Sequence, residues 1–330
     1  MDKNNTAQNP YQACIPPIND LLAEYLQELE ILGRSQKTIT WYHDILVKFF
    51  ASIGSHSATE SVANIGKPEL KVYILHLQQR VRWPNNKHIH DEKHMSPFSI
   101  AGHVRAIKAF WSWLAKQEYI DQNPFDKFPV PKTPQHIIKT LDAKDIRKLL
   151  NAVDRTNPVG ERFYGVLLLL IDTGARISEV VGIKLSDINL AQSTVKITGK
   201  GKKDREVPYS NMTRKTLLKY INDARKSLCA AVDSEYLFPG RYGDHTSIGS
   251  MQQALRRLAE KTGMDKCYPH LLRHTFGTLF IANNGSSMIL QQIMGHASLQ
   301  TTEKYVHLKT EDLKKQHKLY SPMKDIFKEP

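Results

Sequence analysis

The sequence predicts a mainly α-helical chain of two domains carrying one small antiparallel β-sheet. Three observations predict it. Apolar residues recur at helical spacing, without strand alternation, across residues 18–122. A stretch with four prolines in 12 residues, Asn123–Pro134, cannot continue a helix and reads as a linker. Beyond it, helical patterns flank a single pair of alternating segments around a basic, Gly-containing loop.

Residues 1–17 are polar, hold Pro10, Pro16 and Pro17, and read as a flexible lead. A first helix is expected from Asn19 or Asp20, with Leu21, Leu22, Tyr25, Leu26 and Leu29 at helical spacing and Gly33 as its stop. Ser35 is placed to cap a second, which carries Ile39, Tyr42, Ile45, Leu46, Phe49 and Phe50 and closes at Gly54. A third is expected near Pro68–Val81. A fourth begins around Ser99 and bears Ile100, Val104, Ile107, Phe110, Trp111 and Leu114. These make residues 18–122 an all-α domain. Between the third and fourth helices, His88, His90 and His94 stand near Asp91 and Glu92. That set lacks helical ligand spacing and reads as a solvated loop, not a metal site.

Residues 123–139 form the linker and 140–318 the second domain. Thr140 precedes a helix bearing Ile146, Leu149 and Leu150, and Gly160–Asp172 reads as a largely buried helix broken by Gly174. Thr194–Ile197 and Glu206–Tyr209 alternate as the strands of a hairpin. Further helices are expected near Thr213–Ala231, Gly249–Thr262, His270–Asn283, Ser287–Met294 and Leu299–Tyr305. Residues 319–330 form a tail whose Leu319, Met323, Ile326 and Phe327 look like anchors for a neighbouring protomer.

Composition narrows the function. A formal charge of +13 suits a polyanionic partner, because each phosphate neutralised releases counterions. Charge alone does not separate DNA from RNA or an anionic membrane surface. The longest apolar run, Val166–Ile171, is far short of a membrane span, and the start Met1-Asp-Lys-Asn-Asn lacks a hydrophobic signal region. Cys14, Cys229 and Cys267 are too few and too scattered for a disulfide framework or a zinc site. A cytoplasmic, reducing location is expected.

The chemistry concentrates in five segments: T-G-A-R-I-S-E-V (173–180), T-G-K-G-K-K-D-R (198–205), H-L-L-R-H-T-F (270–276), G-H-A-S (295–298) and T-T-E-K-Y-V-H (301–307). Glu179 lies three residues past Arg176, so it can hold that guanidinium; a buried structural pair would look the same. Lys200 sits between glycines that permit close approach to a phosphate, yet the loop does not match a nucleotide-triphosphate site. His270 and Arg273, at i and i+3, share one helical face. His296 follows a turn glycine, and Tyr305 is one of 13 tyrosines. Singly, each has an ordinary structural explanation. Together they form a set: a phenol is a poor nucleophile until cations stabilise its charge, and arginines can clamp the oxygens of a phosphate under attack. The design needs no metal and no cofactor.

The order Arg176, Lys200, His270, Arg273, His296, Tyr305 resembles that of the tyrosine recombinases, the phage-integrase and Xer-like site-specific DNA recombinases. Upstream, Arg34–Tyr42 and Ala106–Leu114, followed by Asn123-Pro124, are similar to the family's helical core-binding domain. The resemblance implies a SAM-like helical domain and a mixed α+β catalytic domain, in an Xer-like arrangement with no arm-binding domain before residue 18. It implies Tyr305 as nucleophile, Arg176 and Arg273 on the non-bridging oxygens, and Lys200 as general acid. His270 and His296 would assist proton transfer, with Glu179 behind Arg176. It implies DNA contacts from Arg34, Lys37, Thr38, Lys108, Lys202 and Arg205. The implied partners are double-stranded DNA bearing a specific site, a homotetramer across two such sites, and an accessory protein; the location would then be the nucleoid. A type IB topoisomerase shares the tyrosine chemistry without strand exchange, a DNA-binding protein could keep the fold without catalysis, and a metal-dependent nuclease would be stopped by EDTA.

Overall fold

A computed structural model describes residues 15–54, 62–80, 94–134, 140–199 and 203–295. Most of the N-terminal lead, His88 and His90, the helix expected near Leu299–Tyr305, the tail, and Lys200, Lys202, His296 and Tyr305 lie outside the described residues. The chain divides into two compact units, Met1–His136 and Ile137–Pro330.

The named elements of the first unit, among the described residues, are all helical. Helix α1 (Ile18–Ile31) ends just before Gly33, whose φ of +69° reverses the chain. Helix α2 (Gln36–Ser52) starts where the Ser35 hydroxyl accepts the Thr38 N–H. Helix α3 (Lys67–Gln79) follows a single 3₁₀ turn, with Glu69 accepting the Gly66 N–H at 2.8 Å. Helix α4 (Pro97–Lys116) begins earlier than its apolar pattern, because Ser96 caps it and Pro97 suits a first turn. The core is aromatic: Phe49, Tyr73, Phe110, Trp111 and Phe125 are fully buried, and Trp111 meets Phe49 and Phe125 edge to face. Phe125 belongs to the Pro-rich stretch, so that stretch starts as part of this core. Lys108 Nζ pins it further, donating to the carbonyls of Asp126 and Phe128, both at 2.8 Å.

In the second unit, α5 (Ala143–Ala152) is capped by Asp142, which accepts from the Lys144 and Asp145 N–H groups. Helix α6 (Pro158–Thr173), capped by Asn157, is buried along almost its whole length from Phe163 to Leu170. Packed against α6 are α7 (Ile177–Val181), α8 (Asn211–Asn222), α9 (Ala224–Leu228) and α11 (Pro269–Ala282). Helices α10 (Ile248–Lys261) and α12 (Ser287–Met294) complete the helical set of the described residues. Strands β1 (Ile188–Asn189), β2 (Thr194–Thr198) and β3 (Asp204–Pro208) form an antiparallel sheet in that order. Val195 pairs with Val207 and Ile197 with Arg205. Val195, Ile197 and Val207 bury their side chains on one face, as a period of two requires.

Two local expectations are corrected. The single helix expected over Thr213–Ala231 breaks at Asp223 (φ −112°, ψ −80°) into α8 and α9. The break sets Arg225 inward, where its guanidinium donates to the carbonyls of Ser234 and Tyr236. The hairpin gains β1, whose two residues are too short to show alternation. Among the described residues no helix is long and apolar enough to cross a membrane.

Candidate active site

The site is built outward from the end of α6. Gly174 takes φ +62°, and a Cβ there would stand 2.3 Å from Phe276 Cδ1, so both conformation and packing demand glycine. The turn delivers Arg176 to the start of α7. Its N–H donates to Glu179 Oε2 at 2.9 Å and its Nη1 to Glu179 Oε1 at 2.8 Å. One edge of the guanidinium is thereby held while 38% of the side chain stays exposed.

Glu179 is shared. From β3, Arg205 Nη2 donates to Oε2 at 2.8 Å and Nη1 to Oε1 at 3.3 Å, and the Glu179 side chain is only 5% exposed. Burial pushes its pKa up, but hydrogen bonds from Arg205 and Arg176 outweigh burial and hold it below the ordinary carboxylate value. Glu179 is thus ionised at neutral pH.

Arg205, which the resemblance would set against DNA, is engaged with protein in the fold. Its side chain is 14% exposed, and beyond its two bonds to Glu179 its Nε donates to the Ile293 carbonyl at 2.8 Å. All three nitrogens face protein. The signal was available: Arg205 lies two residues before the buried Val207, on the same face of β3.

Helix α11 brings the other described members. Pro269 opens it, so His270 and Arg273 stand in its first turns. Arg273 is buried and joins two distant helix ends, its Nη1 donating to the Gly174 carbonyl at 2.7 Å and its Nη2 to the Met294 carbonyl at 2.9 Å. His270 is exposed, and its pKa is lowered by partial burial first and then by the charges of Arg273 and Arg176. Arg273 bonds the carbonyl two residues before Arg176, and His270 lies three residues before Arg273 on the same helix, so the three lie in one region.

The end of α12 completes the frame. Its last carbonyls, at Ile293 and Met294, accept from Arg205 and Arg273, where the helix dipole also favours cations. Gly295 follows at φ +64°, and a Cβ on it would meet Arg205 Nη1 at 3.0 Å. On the hairpin, Gly199 packs against the same pair, its notional Cβ 3.4 Å from Arg205 Nη1 and 3.7 Å from Glu179 Oε1. Gly199 and Gly295 immediately precede Lys200 and His296. The four residues suggested for DNA contact in the first unit differ in situation. Arg34 and Lys37 are exposed, the Thr38 hydroxyl lies 2.8 Å from the Ser35 cap, and the Lys108 ammonium is bound to two carbonyls.

This frame stands in a chain whose residues 139–312, just over half of it, match the phage integrase family. The chain belongs to that family, the tyrosine recombinases, and is an enzyme of that class. It is 31% identical to the tyrosine recombinase XerC of Bacillus subtilis over 234 residues, covering 70% of this chain and 77% of its relative. Against XerC of Oceanobacillus iheyensis the identity is 27% over 298 residues, 89% and 92% of the two chains. The fold is shared with the Tn1549 transposon integrase in complex with transposon right-end DNA (TM-score 0.72, 18% identity, 92% and 99% covered). It is shared also with XerH site-specific recombinase bound to difH substrate (TM-score 0.65, 20% identity, 97% and 91% covered).

Proposed function

We propose that the chain carries out site-specific recombination of duplex DNA through a 3′-phosphotyrosyl intermediate. The observation that carries the reading is the meeting of Arg176, His270 and Arg273 around the ends of α6 and α12. Arg176, whose side chain is 38% exposed, holds the non-bridging oxygens of one phosphate together with Arg273, each of whose Nη atoms keeps a second N–H beyond its carbonyl bond. The two charges stabilise the transition state. Tyr305 supplies the nucleophile. Its oxygen bonds to phosphorus as the P–O5′ bond breaks; Lys200 gives the departing 5′-oxygen its proton, leaving a free 5′-hydroxyl. The depressed pKa of His270 keeps its imidazole neutral near pH 7, able to take the phenol's proton, with His296 assisting at the phosphate.

The phosphodiester energy is retained in the adduct, so a 5′-hydroxyl from a second duplex reseals it without ATP or metal. Four protomers on two duplexes exchange strands in pairs through a Holliday junction. Residues 18–122 act as the core-binding domain and 140–318 as the catalytic domain, with Arg34, Lys37 and Lys202 on the DNA backbone. The relatives' names fit this reading, as do the DNA complexes among the structural neighbours.

The test is a covalent adduct. Full-length protein and Tyr305→Phe are incubated in EDTA with nicked suicide substrates drawn from DNA flanking the gene. An SDS-resistant, protease-sensitive adduct with wild type alone is expected. Adduct formation by Tyr305→Phe would assign the nucleophile elsewhere, and a site bound without cleavage would make the chain a binding protein.

A further inference from the structure

We infer that Arg205 is a positioning residue for strand cleavage, fixing Arg176 through Glu179 and fixing the end of α12 through the Ile293 carbonyl, without touching DNA. The inference rests on the recombinase reading and deepens it, since it gives a residue of the same site a role other than the DNA contact that the resemblance implies.

Arg205 stands where three pieces of the site come together. Its fork engages both oxygens of Glu179, and Glu179 holds the backbone N–H and the guanidinium of Arg176. Its Nε holds Ile293, one residue before the carbonyl that Arg273 holds. Gly295 packs over the guanidinium at 3.0–3.2 Å from a notional Cβ, and Gly199 packs against its edge. The residues leading into Lys200 and His296 are thus set against the same rigid plane. Only arginine fits the job: a planar guanidinium serves a carboxylate with two parallel bonds and a carbonyl with a third, whereas an ammonium is a point charge without that geometry.

The electrostatics agree with the geometry. Arg176, at the start of α7, and Arg205, from β3, are the cations bonded to Glu179, and both hold its pKa down. Without Arg205, a buried carboxylate keeps one cation, burial gains the upper hand, and its proton affinity rises. A protonated Glu179 holds Arg176 less firmly. Loss of Arg205 therefore brings a dependence on pH that a mere packing residue would not.

The experiment compares wild type, Arg205→Met, Arg205→Lys, Glu179→Gln and the Arg205→Met/Glu179→Gln double variant, all full length and below their melting temperatures. Site affinity is measured against salt, and single-turnover adduct formation against pH. For Arg205→Met we expect affinity within about twofold, an unchanged salt slope, and cleavage slower by about 10²-fold, the cost of small misplacements. Arg205→Lys, which disturbs packing least, should fall between it and wild type. Cleavage by Arg205→Met should drop more steeply than wild type between pH 8 and pH 6 (roughly the range over which a buried carboxylate titrates). The double variant should lose that extra steepness. A salt slope lower by about one unit with cleavage intact would make Arg205 a phosphate contact and overturn the inference. So would a slowed variant whose pH profile runs parallel to wild type. No wild-type adduct at a bound site would sink the recombinase reading and this inference with it, whereas wild-type cleavage matched by Arg205→Met sinks this one alone.

Discussion

The first unit is held by rings, whereas the heart of the second is held by directed polar bonds. Phe49, Phe110, Trp111 and Phe125 interlock on α2, α4 and the segment beyond Asn123, and any well-shaped apolar set of equal volume would serve. Around Glu179 nothing is interchangeable: three guanidiniums from α7, β3 and α11 meet one carboxylate and three named carbonyls. Burial of rings is non-directional and scales with area; a buried charge network holds only if each partner is in place. A scaffold is built from the first kind of contact and a reactive site from the second.

The sharpest way to break the first kind is Trp111→Ala. Trp111 is fully buried among four rings, and such a truncation costs about 4 kcal/mol. All four tryptophans, at 41, 83, 111 and 113, lie in the first unit, so tryptophan emission reports on that unit alone. Urea unfolding followed by the emission of the remaining three should show the loss. A change under about 1 kcal/mol would mean the ring cluster adds little beyond the surrounding aliphatic core.

This contrast also explains what the sequence could reveal. The helices of the first unit are written locally: Leu21, Leu22 and Tyr25, or Ile107, Phe110 and Trp111, recur at a period that no other structure satisfies. Gly174 could be read as a stop for the same reason. The pairing of Arg176 with Glu179, three residues apart, was legible as well, though not that a second arginine shares it. Arg273 bonds a carbonyl 99 positions away and Arg205 one 88 away, and no local pattern encodes either. Arg205 follows a basic loop, so its charge suggests DNA while its register on β3 points to the protein interior. Strand alternation, applied strictly, would have turned it inward beside Val207. The proline content of the linker says nothing of Phe125, which fastens its start to the helical core.

Breaking the second kind of contact calls for Glu179→Gln. It keeps the shape and leaves two arginines facing an amide, at a cost of about 3 kcal/mol. Acid distinguishes the two units. Because the pKa of Glu179 is lowered in the fold, its contribution is complete above its ordinary 4.5 and is shed as pH falls through the lower folded value. His103 in the first unit is pushed down to about 4, by burial first and then by Lys48 and Arg80, while its Nδ1 lies 2.8 Å from the Tyr73 hydroxyl. It stays neutral in the fold while the unfolded chain takes up a proton near 6.5, so stability drains from the first unit as pH falls from 6.5 toward 4. Tryptophan emission should therefore report weakening at a pH where amide protection in α6 is intact, and Glu179→Gln should flatten only the later limb. Simultaneous loss of both signals in wild type would remove the distinction.

The smallest effect tests where the two kinds of contact overlap. Lys108 is a charged residue on the aromatic unit, yet its ammonium holds the carbonyls of Asp126 and Phe128 and so keeps Phe125 seated against Trp111. Lys108→Ala should lower the stability of the first unit by about 1 kcal/mol and leave the salt slope of DNA binding nearly unchanged. Lys37→Ala should do the reverse. Lys37 is exposed in the first turn of α2, where a positive charge does not suit the helix dipole, so its removal costs the fold nothing. The slope should then fall by about 0.9, the value of one phosphate contact. If the two variants exchange these signatures, the bonds of Lys108 to the linker carbonyls yield to DNA when it binds, and the segment they pin is released with them.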